Sequence, residues 1–318
     1  MMQKIEYDKY GGPELMHLNE VEPPVAGKGQ VLVRVQAAAA NPMDWRFRNG
    51  DSRLMTGRQF PRGVGNDFAG TVVAVGDGVT QFKAGDDVFG AANLRKAGAF
   101  AEMVTADQKQ VVKKPAGLSF EEAATLPTVG VAALQALIDK GELKAGQSVF
   151  INGCLGGVGR TAVQIARMQG ASVAGSCRGG AAAEAKALGV DAVVGFDFDP
   201  APLKGRFDLV LDTAGTMPIK VARTLLKPGG HIIDINVNPS NMVAKITRSI
   251  VSRDYRILVS QYKSKDLEEL ARAAAQGELI VPVARTVPLT QAIGALTELE
   301  RKHTPRDGKL VILPQAAA

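Results

Sequence analysis

The chain has 318 residues, 38 Lys and Arg against 32 Asp and Glu, two Cys and one Trp. Its 46% hydrophobic and 22% charged fractions are those of a globular chain with a sizeable core, which excludes wholesale disorder. No apolar run reaches the roughly 18–20 residues of a membrane span, the opening MMQKIEYDKYGG lacks the apolar core of a secretory signal, and a net charge of +6 is too mild to point to nucleic acid.

From residue 1 to about 118 the chain reads as short strands: VLVRVQAAAA, GTVVAVGDGV, DDVFGA and AFAEMVTA. Gly, Pro and Asp punctuate them (GGPEL, EPPVAGKG, KAGDD, KKPAG), the pattern of an antiparallel or barrel-like unit. At Ser119 the texture changes. SFEEAATL carries a capping box, Ser119 with Glu122 three residues on, and Val129, Ala133, Leu134, Leu137 and Ile138 recur at helical spacing before Gly141. From Ser148 to about Tyr262 strands (SVFING, ASVAGS, DAVVGF, FDLVLDTAG, GHIIDIN, YRILVSQY) alternate with helical stretches such as TAVQIARMQ and AAAEAKALG. That alternation means crossover units and a parallel sheet. The tail from Ser264 has two helical stretches and a strand, KLVILP, whose texture matches the first third; it is expected to return there.

The strongest local signal is SVFINGCLGGVGRTAVQIAR. A strand runs into Gly153, then Gly156, Gly157, Val158 and Gly159, and a helix opens. Without Cβ atoms the backbone can approach a pyrophosphate, and the helix start supplies free N–H groups and a positive dipole end. Gly156 and Gly159 keep the G-x-x-G spacing of the dinucleotide fingerprint, although its first glycine falls at Cys154. About twenty residues on, where a carboxylate would hold a ribose 2′-hydroxyl, the chain has Ser176 and Arg178. Donors there suit a 2′-phosphate, so NADPH is favoured over NADH; a solvated Arg178 is the plainer alternative.

Taken together, NPMDWRFRNG (41–50), GNDFAGTVVAVGDGVTQFKAGDDVFG (65–90), ATLPTVGVAALQAL (124–137) and NGCLGGVGRTAVQIA (152–166) resemble the medium-chain dehydrogenase/reductase superfamily over essentially the whole chain. The likeness is greatest to its zinc-free quinone oxidoreductase branch, and within it to chloroplast-type quinone oxidoreductase homologues and alkenal/enone reductases. The resemblance implies an α/β fold: a Rossmann doubly wound parallel sheet domain plus a GroES-like barrel-type β domain. It implies a GroES-like part over 1–122, a nucleotide-binding part over 123–262, a return over 263–318, and a homodimer. Where the alcohol dehydrogenase branch has Gly-His-Glu, this chain reads Gly65-Asn66-Asp67, and no Cys precedes Cys154. Asn is a poor zinc ligand, and His17, His231, His303, Cys154 and Cys177 have no zinc spacing, so no metal is expected. Two cysteines cannot staple a fold of this size, which points to a reducing compartment, expected to be cytoplasmic.

Family position also supplies candidate site residues. Asn41, Met43, Asp44 and Arg46 match positions that line the nicotinamide and substrate cleft. Arg46 is a donor to a substrate oxygen or to the cofactor, or else a surface cation paired with Asp44. Thr213 and Asn236, with Val237, follow strands whose carboxyl ends face ligands in a doubly wound sheet. Tyr262 is a candidate proton donor. The family often has Thr where this chain has Ala132, which leaves Thr128 as the stand-in for a nicotinamide contact. Trp45 reads as core rather than substrate platform. Cys154, beside a helix start, is a packing residue or a thiol of lowered pKa. Five arginines from Arg46 to Arg62 against Asp51 make a basic stretch, either steering an anion or simply solvated.

The function expected from these residues is zinc-independent transfer of hydride from NADPH to an enone, alkenal or quinone, whose developing oxygen anion needs hydrogen-bond donors. The alternative is an NADPH-binding protein of the same fold with little or no catalysis. A nucleic-acid partner and a membrane span are not expected.

Overall fold

In VLVRVQ, Val31, Val33 and Val35 are fully buried while Arg34 between them is exposed, the period of two that a half-buried strand requires. The computed structural model describes residues 1–93, 98–236, 241–302 and 307–314, with backbone alone at Leu54 and Met55. By its internal contacts the chain forms two units. One comprises Met1–Thr128, Tyr262–Gly277 and Val281–Ala318; the other comprises Val129–Gln261 and Glu278–Ile280.

In the first unit, strands β1 (Met2–Tyr7), β2 (Met16–Val21) and β3 (Gln30–Ala39) precede helices α1 (Pro42–Asn49) and α2 (Arg53–Thr56). Strands β4 (Arg62–Gly63), β5 (Asp67–Val75), β6 (Asp87–Ala91), β7 (Met103–Asp107) and β8 (Val111–Lys113) follow. Helix α3 (Phe120–Thr125) starts at the capping box: the Glu122 N–H donates to Ser119 Oγ (3.1 Å) and the Ser119 N–H to Glu122 Oε2 (2.9 Å). Helix α4 (Pro127–Leu134) then carries the chain out of this unit.

The second unit alternates as the sequence pattern requires. Its elements are β9 (Ser148–Asn152), α5 (Gly157–Met168), β10 (Ser172–Ser176), α6 (Ala182–Ala187), β11 (Ala192–Val194), β12 (Phe207–Asp212), α7 (Ile219–Leu225), β13 (Leu226–Asp234), α8 (Met242–Val251) and β14 (Tyr255–Ile257). All six strands are parallel, in the order β11-β10-β9-β12-β13-β14. Val149, Phe150 and Ile151 of the central β9 are fully buried, as a strand covered on both faces demands. Ala162, Val163 and Ala166, one stripe of α5, are fully buried as well. The chain order reverses between β9 and β12, the switch point at which ligands bind in such sheets.

The tail supplies α9 (Ser264–Ala275), β15 (Val283–Pro288), α10 (Leu289–Lys302) and β16 (Lys309–Leu313). β16 pairs antiparallel with β3, Val311 opposite Ala39, and parallel with β15. This completes the sheet β15-β16-β3-β5-β6-β8, with β7 also on β3; a second sheet runs β2-β1-β4. Leu296 and Leu299 of α10 share one core with Ile5, Val33 and Phe68.

Candidate functional site

Within the second unit, the glycine turn lies at the carboxyl end of β9. Gly153 has φ +83°, a conformation glycine alone adopts without strain. Its N–H and that of Cys154 donate to Ser176 O (3.1 and 3.0 Å), joining the ends of β9 and β10. At Gly159 a Cβ would stand 2.1 Å from Gly153 O, so helix and strand come this close only because it is glycine. Gly156 caps α5; Gly156 and Gly157 are exposed and Val158 is half-buried. The N–H groups of Gly157, Val158 and Gly159 begin the helix and have no carbonyl a turn earlier to bind. A bare, exposed helix start with no Cβ in its way fits the pyrophosphate of a dinucleotide.

The surrounding side chains hold this turn in shape. Ser176 is fully buried; its hydroxyl donates to Asn152 Oδ1 (2.5 Å) and accepts from the Gly153 N–H (3.1 Å). That corrects its expected role: the hydroxyl is committed inside the turn, and Arg178, exposed just beyond β10, is the free donor of the two. Thr213 donates to Asn152 O (2.7 Å) and Gly153 O (3.1 Å). Asn236 donates to Asp212 O (2.9 Å), while Val237 lies outside the described residues. Two residues the sequence reading passed over are central here. Asn152 donates to Asp212 Oδ1 (2.8 Å), and Asp212 also accepts the Gly215 N–H (2.8 Å); burial pushes its carboxyl upward. Both stand at strand ends on either side of the switch point, which is a legible signal once the strand order is known.

Cys154 is fully buried and its thiol is pushed up to about 12, with burial the leading cause and Cys177 beside it contributing. Of the two readings of Cys154, the buried and raised thiol agrees with a packing residue: loss of hydration outweighs the helix start.

The first unit holds a buried polar cluster at the point where β3, β5 and β16 meet. Asp67 is fully buried and accepts four hydrogen bonds: Asn41 Nδ2 (2.9 Å), the Thr128 N–H (2.9 Å), Thr128 Oγ1 (2.6 Å) and Asn66 Nδ2 (3.2 Å). Tyr262 Oη accepts from Asn66 Nδ2 (2.7 Å) and lies 2.8 Å from Thr128 Oγ1. Because Thr128 gives its proton to Asp67, Tyr262 is the donor in that contact, and the chain runs Tyr262 to Thr128 to Asp67. Lys309 donates to Asn41 Oδ1. Asp44 Oδ2 accepts the Asn41 N–H (2.7 Å), closing the start of α1. Asp44 Oδ1 and Asn66 Oδ1 have no hydrogen-bond partner among the described residues, and both residues line a cavity of about 10 Å³, the size of one water.

Burial is the leading cause of every shift in this cluster. It raises Asp44 to about 7, raises Asp67, drives Tyr262 well above 10 and lowers Lys309; the attraction of Lys309 for both carboxylates opposes this. Asn41, Asp44, Thr128 and Tyr262 are therefore brought together, but around Asp67 and Lys309, which the sequence reading did not select. Asp67 had been visible only as the residue that replaces a metal-type glutamate. Asn41 and Asp44 are 1% and 4% exposed, so their side chains serve the cluster first.

Arg46 is partly exposed, and its carboxylate partner is Asp51 (3.8 Å), not Asp44, which points inward. The basic stretch is also less basic than its composition. Arg48 is buried on Glu300 (2.7 Å), and buried Arg62 donates to Thr56 O. Trp45 packs against the core. Among the described residues no group of three or more His, Cys, Asp or Glu is placed to hold a metal ion; His303 lies outside them. Among those residues, too, no helix is long and apolar enough to cross a membrane.

Comparison with known proteins adds to this geometry. Residues 27–116 match the alcohol dehydrogenase GroES-like domain, and residues 188–312 match the family model described as zinc-binding dehydrogenase. The chain is 32% identical to a chloroplast envelope quinone oxidoreductase homolog of Arabidopsis thaliana, with 99% of each chain covered. It is 34% identical to a 2-methylene-furan-3-one reductase of Solanum lycopersicum over 73% of this chain and 61% of that one. The solved quinone oxidoreductase of Coxiella burnetii superposes with a TM-score of 0.88 at 30% identity, again over 99% of each chain.

Proposed function

Starting from a chain that belongs to the medium-chain dehydrogenase/reductase superfamily, among its quinone oxidoreductase homologues, we propose an NADPH-dependent reductase of enones, alkenals or quinones. A relative in Danio rerio, 34% identical over 70% of this chain, is an NAD(P)H oxidoreductase. The observation that carries the reading is the bare helix start at Gly156 and Gly157, set at the switch point between β9 and β12. Arg178 beyond β10 supports NADPH over NADH.

When bound, the cofactor supplies hydride to an electron-poor carbon. The residues that would hold it are the backbone of Gly156 to Gly159 and the side chain of Arg178. The substrate then gains charge on oxygen, and Arg46 has donors to offer, since it is only partly exposed and loosely paired with Asp51. Tyr262 is the candidate proton donor of this reading: burial raises its hydroxyl, which donates to Thr128, and Thr128 donates to Asp67.

The test is the decay of NADPH absorbance against a panel of enones, alkenals and quinones. Turnover on any of these classes is expected. Binding of NADPH without turnover across the panel would favour a silent binding protein. Arg46→Ala is expected to lower kcat/KM by about ten- to a hundredfold, the effect of losing a charged hydrogen bond, while NADPH affinity holds. A homodimer belongs to the same reading, and sedimentation velocity tests it.

A further inference from the structure

The carboxyl end of β10 carries a carboxylate that strand position alone does not show. Glu184 lies in the first turn of α6, six residues past Arg178, and the turn between them is closed by the Ala181 N–H donating to Arg178 O (3.2 Å). Its carboxylate is held by Arg160, four residues after Gly156 on α5: Arg160 Nη2 donates to Glu184 Oε1. The two side chains are 11% and 38% exposed. The Glu184 charge is felt at Cys177, next to Arg178, and the Arg160 charge at Cys154, next to Gly153. The pair therefore joins the first turns of α5 and α6, the helices that follow β9 and β10, on the carboxyl side of the sheet where a doubly wound fold places the adenosine ribose.

A free carboxylate at this edge suits a ribose 2′-hydroxyl and repels a 2′-phosphate. Here the carboxylate is present but engaged. We propose that Arg160 sets cofactor preference through Glu184, holding that carboxylate so that Arg178 meets the 2′-phosphate of NADPH unopposed. Arg160 is thus a positioning residue, and the proposal rests on the NADPH reading above. It deepens that reading, because removal of a carboxylate from the strand end is only half of the discrimination.

The experiment is titration of full-length protein with NADPH and, separately, NADH by calorimetry, with no substrate present. The readout is the ratio of the two Kd values. Arg160→Leu is expected to shift the ratio against NADPH by about tenfold, the effect of one like charge a few ångströms from the phosphate in a half-solvated site. Glu184→Gln in the same chain is expected to restore the ratio to within about threefold of the starting protein, since no carboxylate is left to hold. Arg160→Lys, which keeps the cation, is expected to keep the ratio. Arg160→Gln takes the place of Arg160→Leu if the latter does not fold, as judged by circular dichroism. An unchanged ratio in Arg160→Leu overturns the proposal, as does a double variant no better than the single. A pair that serves the fold alone would weaken both cofactors equally. If the unaltered protein itself binds NADH as tightly as NADPH, the NADPH reading fails first, and that outcome is distinct from either of these.

Discussion

Asp44 shows how a single buried side chain ties stability to pH. Its carboxylate has Asp67, Lys309 and Arg48 within electrostatic reach and one oxygen without a partner among the described residues. Burial raises it from 3.8 to about 7. The folded state therefore binds the proton more tightly than the unfolded chain does. Stability from this group is fully present below pH 3.8 and is lost as pH rises through about 7. Asp44→Asn removes the titration but keeps an oxygen for the Asn41 N–H. The urea midpoint of the variant, relative to the unaltered protein, is expected to rise from pH 5 to pH 8. A difference that stays constant across that range would show that Asp44 does not carry the dependence.

At the scale of elements, the two glycines of the β9–α5 turn separate folding from binding. A Cβ on Gly159 would sit 2.1 Å from Gly153 O and 3.0 Å from Cys154 Cα, which are backbone atoms that cannot yield. Gly159→Ala is expected to push α5 off the strand and cost about 1–3 kcal/mol, as overpacking does. A Cβ on Gly156 meets only Gly153 O at 3.4 Å, and its φ of −69° suits any residue. Gly156→Ala is expected to melt within about 2 °C of the parent, since its cost is a few tenths of a kcal/mol in a chain of this size. It should nonetheless weaken NADPH, because a methyl stands where the pyrophosphate approaches. Thermal melts with and without NADPH check both. This turn was legible because its signals are local: a strand, a glycine run and an amphipathic helix in twenty residues. The role of Ser176 was not, because its burial depends on the pairing of β10 with β9, which the sequence states only through the finished sheet. The same holds for the arginines. Five cations in a short stretch look free until α10 is seen to bring Glu300 to Arg48, 252 residues away.

For the whole molecule, the consequential fact is that the chain's end completes a cluster begun near its start. β16 pairs with β3, and that register places Lys309 against Asn41, 268 residues earlier, beside Asp44 and Asp67. Strand texture alone is enough to suggest that the tail belongs with the first third. The cation it delivers is not legible, because a lysine opening a final strand usually reads as solvated, and only the register buries it. Both buried carboxylates feel the charge of this ammonium, whose hydrogen bond goes to Asn41 Oδ1. Lys309→Met keeps the volume and removes the charge, leaving two like charges without this ammonium. The expected cost is about 3 kcal/mol at pH 8, the scale of leaving a buried charge uncompensated. The sign of its pH dependence follows from the carboxylates. Both are raised already, and without Lys309 they rise further, so the folded variant binds protons that the unfolded chain releases. The protonated cluster is neutral and tolerates burial; the ionised one does not. The deficit against the unaltered protein, read from urea midpoints, should accordingly shrink as the pH is lowered from 8 to 5.5. A deficit independent of pH would mean that Lys309 acts by packing alone.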